Sequence, residues 1–148
     1  MSIVITVHGT PAPQGSKRHV GNGVMVESSK RVKPWRDDVK AAAEEWLDGH
    51  PGAPLTGPLH LAADFYFRRP KKHYRTGRHA AELREDAPEY HSQTPDLSKL
   101  IRSTEDALTD SGIWADDALV AVVHAKKRWA DAGSGTLPGA VIRVSEVR

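Results

Sequence analysis

The sequence predicts an α+β fold: a single domain over residues 1–148, with one mixed β-sheet and two main helices. Three observations carry this. Four stretches alternate apolar and polar residues with the period of half-buried strands. Two stretches repeat at the helical period. Two helices are too few to cover both faces of a doubly wound parallel sheet, which leaves one mixed sheet as the natural arrangement. A chain of 148 residues is long enough to bury one proper core.

The elements follow in order. Ile3, Ile5 and Val7 alternate with Val4 and Thr6, which makes a first strand. His8 to Gly23 is rich in Gly and Pro and carries Lys17, Arg18 and His19. It reads as a loop or wide hairpin tip, either a solvated connection or a basic arm touching phosphates. Pro34 suits the first turn of a helix. Trp35, Val39, Ala42 and Trp46 recur at helical spacing, so an amphipathic helix runs to about Leu47 with its tryptophans in the core. Leu59, Leu61, Ala63, Phe65 and Phe67 alternate with His60, Ala62, Asp64 and Tyr66 in a second strand.

Arg68 to Gln93 is polar and mixed in charge, with no apolar period beyond Ala80–Leu83. A structureless loop of this length is uncommon inside a small domain. It opens strongly basic, with Arg68, Arg69, Lys71, Lys72, Arg75 and Arg78. The bland reading is a mobile solvated insertion. The functional reading is a nucleic-acid contact that orders on binding, and both can hold.

Residues 96 to 113 divide at about 100° per residue. Leu97, Leu100, Ile101, Thr104, Ala107 and Leu108 fall on one arc, and Ser98, Lys99, Arg102, Glu105, Asp106 and Thr109 on the other. Gly112 breaks this helix. A strand follows, with Leu119, Ala121, Val123 and Ala125 on one face and a second face that turns basic at Lys126 and Arg128. Asp131 to Gly139 is a turn, and Ala140, Ile142 and Val144 mark the last strand.

Composition narrows the function classes. The absence of cysteine excludes a disulfide framework, a cysteine zinc site and a thiol nucleophile, and fits a cytoplasmic setting. No apolar run approaches the roughly 18 residues of a membrane span, so no membrane association is expected. The chain opens with no basic segment leading into an apolar run, so no signal peptide is expected. A net charge of +2 is compatible with an anionic partner without requiring one. His73, His79 and His91 match no standard zinc spacing, and most of the eight histidines read as surface loop residues.

The acids are the sharper signal. Asp96 opens the second helix, and Asp116 and Asp117 stand beyond its end. Acids distant in sequence that meet in space are what a hard divalent cation needs. Each has an ordinary reading as well. Asp96 after Pro95 suits an N-cap, worth about 1 kcal/mol. Asp116 and Asp117 suit the turn before a strand.

Pro-Asp-Leu-x-Lys-Leu-x-Arg at 95–102, Asp-Ala-Leu-Thr-Asp-Ser-Gly-Ile-Trp at 106–114 and Asp-Asp-Ala-Leu-Val at 116–120 together resemble the RusA family of Holliday junction resolvases. These are small, homodimeric, magnesium-dependent endonucleases common in phages and prophages. The resemblance is best over residues 95–123. It extends more weakly to the opening strand, the Gly/Pro loop and residues 33–36. It implies a RusA-like fold and a nuclease that resolves four-way junctions or other branched DNA by paired symmetric nicks. It implies Mg²⁺ as cofactor, with Mn²⁺ as a substitute, and a homodimer.

Residue by residue, Asp96 matches the first family acid, Asp117 the distal metal ligand, and Asp116 its neighbour. Arg102 stands where the family has its catalytic lysine; it keeps the charge but does not readily deliver a proton. Ser98 stands where the second aspartate of Asp-x-Asp is expected, and Lys99 where asparagine is common. The site is therefore one carboxylate short. Ser98 through a metal-bound water, Asp64 on the neighbouring strand, or Asp106 are the candidates to make up the loss. The basic residues offered to DNA are Lys17, Arg18, Arg69, Lys71, Lys72, Arg75, Lys99 and Lys126. The alternative that Ser98 raises is a branched-DNA-binding protein with weak or no cleavage.

Overall fold

Alternation of apolar and polar residues in four strands builds the sheet, and the apolar side decides where the helices sit. The computed structural model describes residues 2–15, 17–19, 25–27 and 30–147, and for 17–19, 25–27 and 132 it describes the backbone alone. Strands β1 (Ser2–His8), β4 (Leu59–Arg68), β5 (Val120–Ala130) and β6 (Gly139–Glu146) form a four-stranded sheet in the order β1-β6-β4-β5. β6 runs antiparallel to both β1 and β4, while β4 and β5 are parallel. The sheet is mixed, as the sequence predicts. A parallel pair needs a long crossover, and helix α2 (Leu97–Ser111) lies in it. Helix α1 (Val32–Gly49) precedes β4 and holds Pro34 in its first turn. Strands β2 (Lys17–His19) and β3 (Met25–Glu27) pair antiparallel, so part of the Gly/Pro region is strand. The side chains of Lys17, Arg18 and His19 lie outside the described residues.

Ile3, Ile5, Val7, Leu59, Leu61, Ala63, Phe65, Ile142 and Val144 face Trp35 and Val39 of α1 and Leu100, Ala107 and Leu108 of α2 in one core. Trp35 is fully buried, as expected, whereas Trp46 is only partly buried and stacks on His50 with ring centres 4.0 Å apart. The opposite sheet face carries Val4, His60, Asp64, Lys126 and Arg143, and no described helix covers it.

Two neighbouring hydroxyls lock α2 in place. Thr104 Oγ1 accepts the Trp35 indole N–H at 3.2 Å, which ties α2 to α1 inside the core. Ser103 Oγ donates to the Ala12 carbonyl at 2.7 Å and lies 3.1 Å from the Leu100 carbonyl, which ties the loop after β1 to the same helix. Gly112 then ends α2 at φ 83°, a left-handed conformation that favours glycine.

The segment from Arg68 to Gln93 is not structureless. It contains 3₁₀ turns at Lys71–His73 and Gly77–His79, and it bridges to β5 through Tyr90 and Arg128. Its anchor is Trp129 near the end of β5. The rings of His73 and His91 meet that indole at 5.0 and 4.4 Å, and the Arg69 guanidinium lies 5.6 Å above it. His73 and His91 are 8% and 7% exposed, so these two are exceptions to the surface-loop reading of most histidines. Their contacts follow no period, and this is why the order here is invisible to pattern reading.

Two outcomes test this account. Thr104→Val leaves the buried Trp35 N–H without its acceptor and should cost about 1–3 kcal/mol in chemical denaturation; an unchanged midpoint would show that the bond carries nothing. The second concerns pH. Burial holds His73 and His91 below the usual histidine range, reinforced by Arg69 and Lys72 for the first and Lys127 for the second. Both therefore take up a proton at lower pH in the folded chain than in the unfolded one, whose histidines titrate near about pH 6.5. The melting temperature should fall as pH drops below that value, and less steeply in His91→Phe.

Candidate functional site

Helix α2 spends its apolar arc on the core and turns Ser98, Lys99, Arg102 and Asp110 outward, with Glu105 and Asp106 partly covered. Asp96 occupies the N-cap position, yet its side chain makes no capping hydrogen bond. It is 57% exposed and lies 3.5 Å from Lys99 Nζ. The ordinary reading of Asp96 as a cap therefore fails, and its carboxylate remains available for chemistry.

Asp116 behaves differently. Its Oδ1 accepts the Ala118 N–H at 2.8 Å and caps the 3₁₀ turn Asp117–Leu119 that feeds β5. The carboxyl groups of Asp116 and Asp117 lie close enough to shift each other in opposite directions. The Ala118 N–H, and then the Asp117 carboxyl, hold Asp116 below the usual carboxylate range. Asp117 is pushed up by the Asp116 carboxyl, then by burial and by the charges of Asp116 and Asp106, with Arg102 opposing. Glu105 is raised by burial and by the charges of Asp117 and Asp106, and Arg102 again opposes. One electrostatic neighbourhood thus holds Arg102, Glu105, Asp106, Asp116 and Asp117. Crowded carboxylates of this kind either retain a proton or gather a cation.

All donors in this neighbourhood are carboxylate oxygens, the hard ligands that Mg²⁺ prefers. Among the described residues, no group of three or more His, Asp or Glu side chains is placed to hold a metal ion. Mg²⁺ does not demand such a cage, because it is usually bound by one or two carboxylates with waters and substrate phosphate oxygens. The residues present fit that mode of binding.

The other candidate residues are dispersed. Asp64 pairs in register with Lys126 and Val141 on the sheet face turned away from α2. The sheet separates it from the α2 acids, so it does not replace the carboxylate missing at Ser98. Lys126 shares that far face, whereas Lys99 lies on α2 beside Asp96. Arg69 donates to the Pro88 carbonyl at 2.8 Å, and Arg75 pairs with Glu82 at 2.9 Å, so both are engaged within the chain. Lys71 and Lys72 are exposed.

A cavity of about 550 Å³ opens beside Asp96, lined by Arg31, Phe67, Pro95, Lys99 and the loop 10–13. Its rim is fixed partly by a residue that sequence reading missed. Lys127 Nζ donates to the carbonyls of Gln93 and Pro95, at 2.5 and 2.9 Å, and so anchors the entry to α2. The signal was present, since Lys127 interrupts the row Ala121, Val123, Ala125, Trp129 on the helix-facing side of β5.

Residues 8–144 match the family model described as endodeoxyribonuclease RusA. No curated protein matches the chain. No helix among the described residues is long and apolar enough to cross a membrane.

The carboxyl pair gives a direct outcome. Asp116→Asn removes one charge while keeping an oxygen for Ala118 N–H and an amide that can donate to Asp117. The Asp117 carboxyl should then titrate lower, as followed by carboxyl ¹³C shifts; an unmoved titration would show that Asp116 does not set it.

Proposed function

The chain belongs to the RusA endodeoxyribonuclease family, and from that premise we propose that it is a Mg²⁺-dependent nuclease that resolves four-way junctions or other branched DNA by paired nicks. The observation that supports this reading is the Asp116–Asp117 pair itself: Asp116 is fixed by the Ala118 N–H, and Asp117 is pushed up by Asp116 with the Arg102 charge opposing. Asp117 and Asp96 would hold the ion, and the Ser98 hydroxyl could reach it through a water. Bound Mg²⁺ supplies polarisation of the phosphate and a lowered pKa for water.

The chain's own residues do the rest. Asp116, fixed by the Ala118 N–H, orients the Asp117 carboxyl. The crowding that pushes the Asp117 carboxyl up would be relieved by a cation held there. Asp106 and Glu105 beside it keep the local field negative in place of the carboxylate absent at Ser98. Arg102 neutralises charge that builds on the phosphate oxygens and offers them a two-pronged donor. Guanidinium does not surrender its proton, so the leaving oxygen takes one from solvent. Lys99, Lys71 and Lys72 screen the flanking phosphates. Paired nicks require two such sites, which a homodimer provides.

Ser98 also favours a second reading, in which the protein binds branched DNA and cuts it weakly or not at all. Cleavage of a four-way junction by the wild-type protein with Mg²⁺ or Mn²⁺ separates the two, since its complete absence with tight binding leaves only the second. On the first reading, Asp117→Asn abolishes cleavage and keeps or tightens junction binding. Arg102→Ala should lower the rate by about 10²–10³-fold. Ser98→Asp should reduce the Mg²⁺ concentration needed for half-maximal cleavage, and an unchanged requirement would remove Ser98 from the site.

A further inference from the structure

We propose that the cavity beside Asp96 seats one unpaired nucleotide, with its base against Phe67 and its phosphate between Arg31 and Lys99. The proposal rests on the reading that the substrate is branched DNA, and it adds how the branch is distinguished from the arms.

The cavity combines the two surfaces a nucleotide needs. Phe67 and Pro95 give apolar wall, while Arg31 and Lys99 give two positive charges against the single negative charge of Asp96. The net balance is positive, which suits a phosphate. At about 550 Å³ the hollow is within the usual range for a small-molecule site and is sized for one nucleotide unit.

Phe67 is the telling residue. It continues the helix-facing row of β4 beyond Phe65, which is completely buried. Phe67 itself is only partly buried: its ring meets His91, with centres 4.5 Å apart, and also lines the cavity. A half-covered aromatic ring at the edge of a cationic hollow is a stacking platform for a base, tolerant of base identity because every base has a π-face.

The cavity is also preformed. Ser103 holds the Ala12 carbonyl, the Gln14 N–H donates to the Lys99 carbonyl at 3.0 Å, and Lys127 holds the Gln93 and Pro95 carbonyls. A rim fixed on these sides loses little freedom when a ligand enters. Taking a base out of a duplex costs stacking and pairing, and that cost is least where the base is already unpaired. A pocket of this kind therefore favours a branch point over an intact arm.

The test uses the full-length protein and two probes, deoxycytidine 5′-monophosphate and the base-free 2-deoxyribose 5-phosphate, followed by NMR shifts. The nucleotide should move the signals of Phe67, Thr94 and Lys99 and bind about tenfold more tightly than the base-free probe. Phe67→Leu, which keeps an apolar side chain without the ring, should close that gap. If Phe67→Leu does not fold, Arg31→Gln should weaken both probes alike and leave their ratio intact. Equal affinity for the two probes, or shifts confined to other residues, would overturn the proposal. These readings do not depend on cleavage. An inert pocket in a protein that cuts junctions sinks the pocket alone, whereas a filled pocket in a protein that never cuts sinks the nuclease reading alone.

Discussion

Two adjacent hydroxyls on one helix constrain the rest of this molecule. Ser103 and Thr104 are both buried, and each must find a partner or impose the penalty of an unsatisfied polar group. Ser103 finds the Ala12 carbonyl and fixes the loop after β1. Thr104 finds the Trp35 indole and fixes α1. With those contacts made, the rotation of α2 about its axis is settled. Ser98, Lys99 and Arg102 then face outward, and the loop 10–13 lies over the start of the helix, where it forms one wall of the cavity beside Asp96.

The acids around this helix are used in contrasting ways. Asp116 is consumed by a structural task, capping the turn into β5, and through that task it becomes a fixed partner for Asp117. Asp96 sits at a helix start where capping would be natural, yet it makes no cap and keeps its carboxylate exposed. Like charges brought this close are unfavourable unless something compensates. Arg102 compensates in part for both Asp117 and Glu105. What remains is a concentration of negative charge just before β5, which pairs parallel with β4.

Much of this was legible in the sequence, for physical reasons that also explain what was not. Strand alternation gave Ile3, Ile5 and Val7, or Leu59 to Phe65, one face each, and the helical period separated the two sides of α2. The same alternation already placed Asp64 on the polar side of β4, opposite the apolar side that any helix must cover. Its exclusion from the α2 acids could have been read beforehand. Lys127 could likewise have been noticed as a charge on the covered side of β5. The ordering of residues 68 to 93 was different. His73, His91 and Arg69 converge on Trp129 from irregular backbone, and neither helix nor strand periodicity encodes such a convergence.

On the proposed reading, Asp117, oriented by Asp116, holds the catalytic cation. Crystals grown with Mn²⁺, whose anomalous scattering identifies the ion, test it most directly. The account predicts an ordered ion at about 2.0–2.3 Å from an Asp117 carboxylate oxygen, with waters completing its shell. An ordered ion bound elsewhere, with Asp117 left unligated in a protein that still cuts branched DNA, would contradict it.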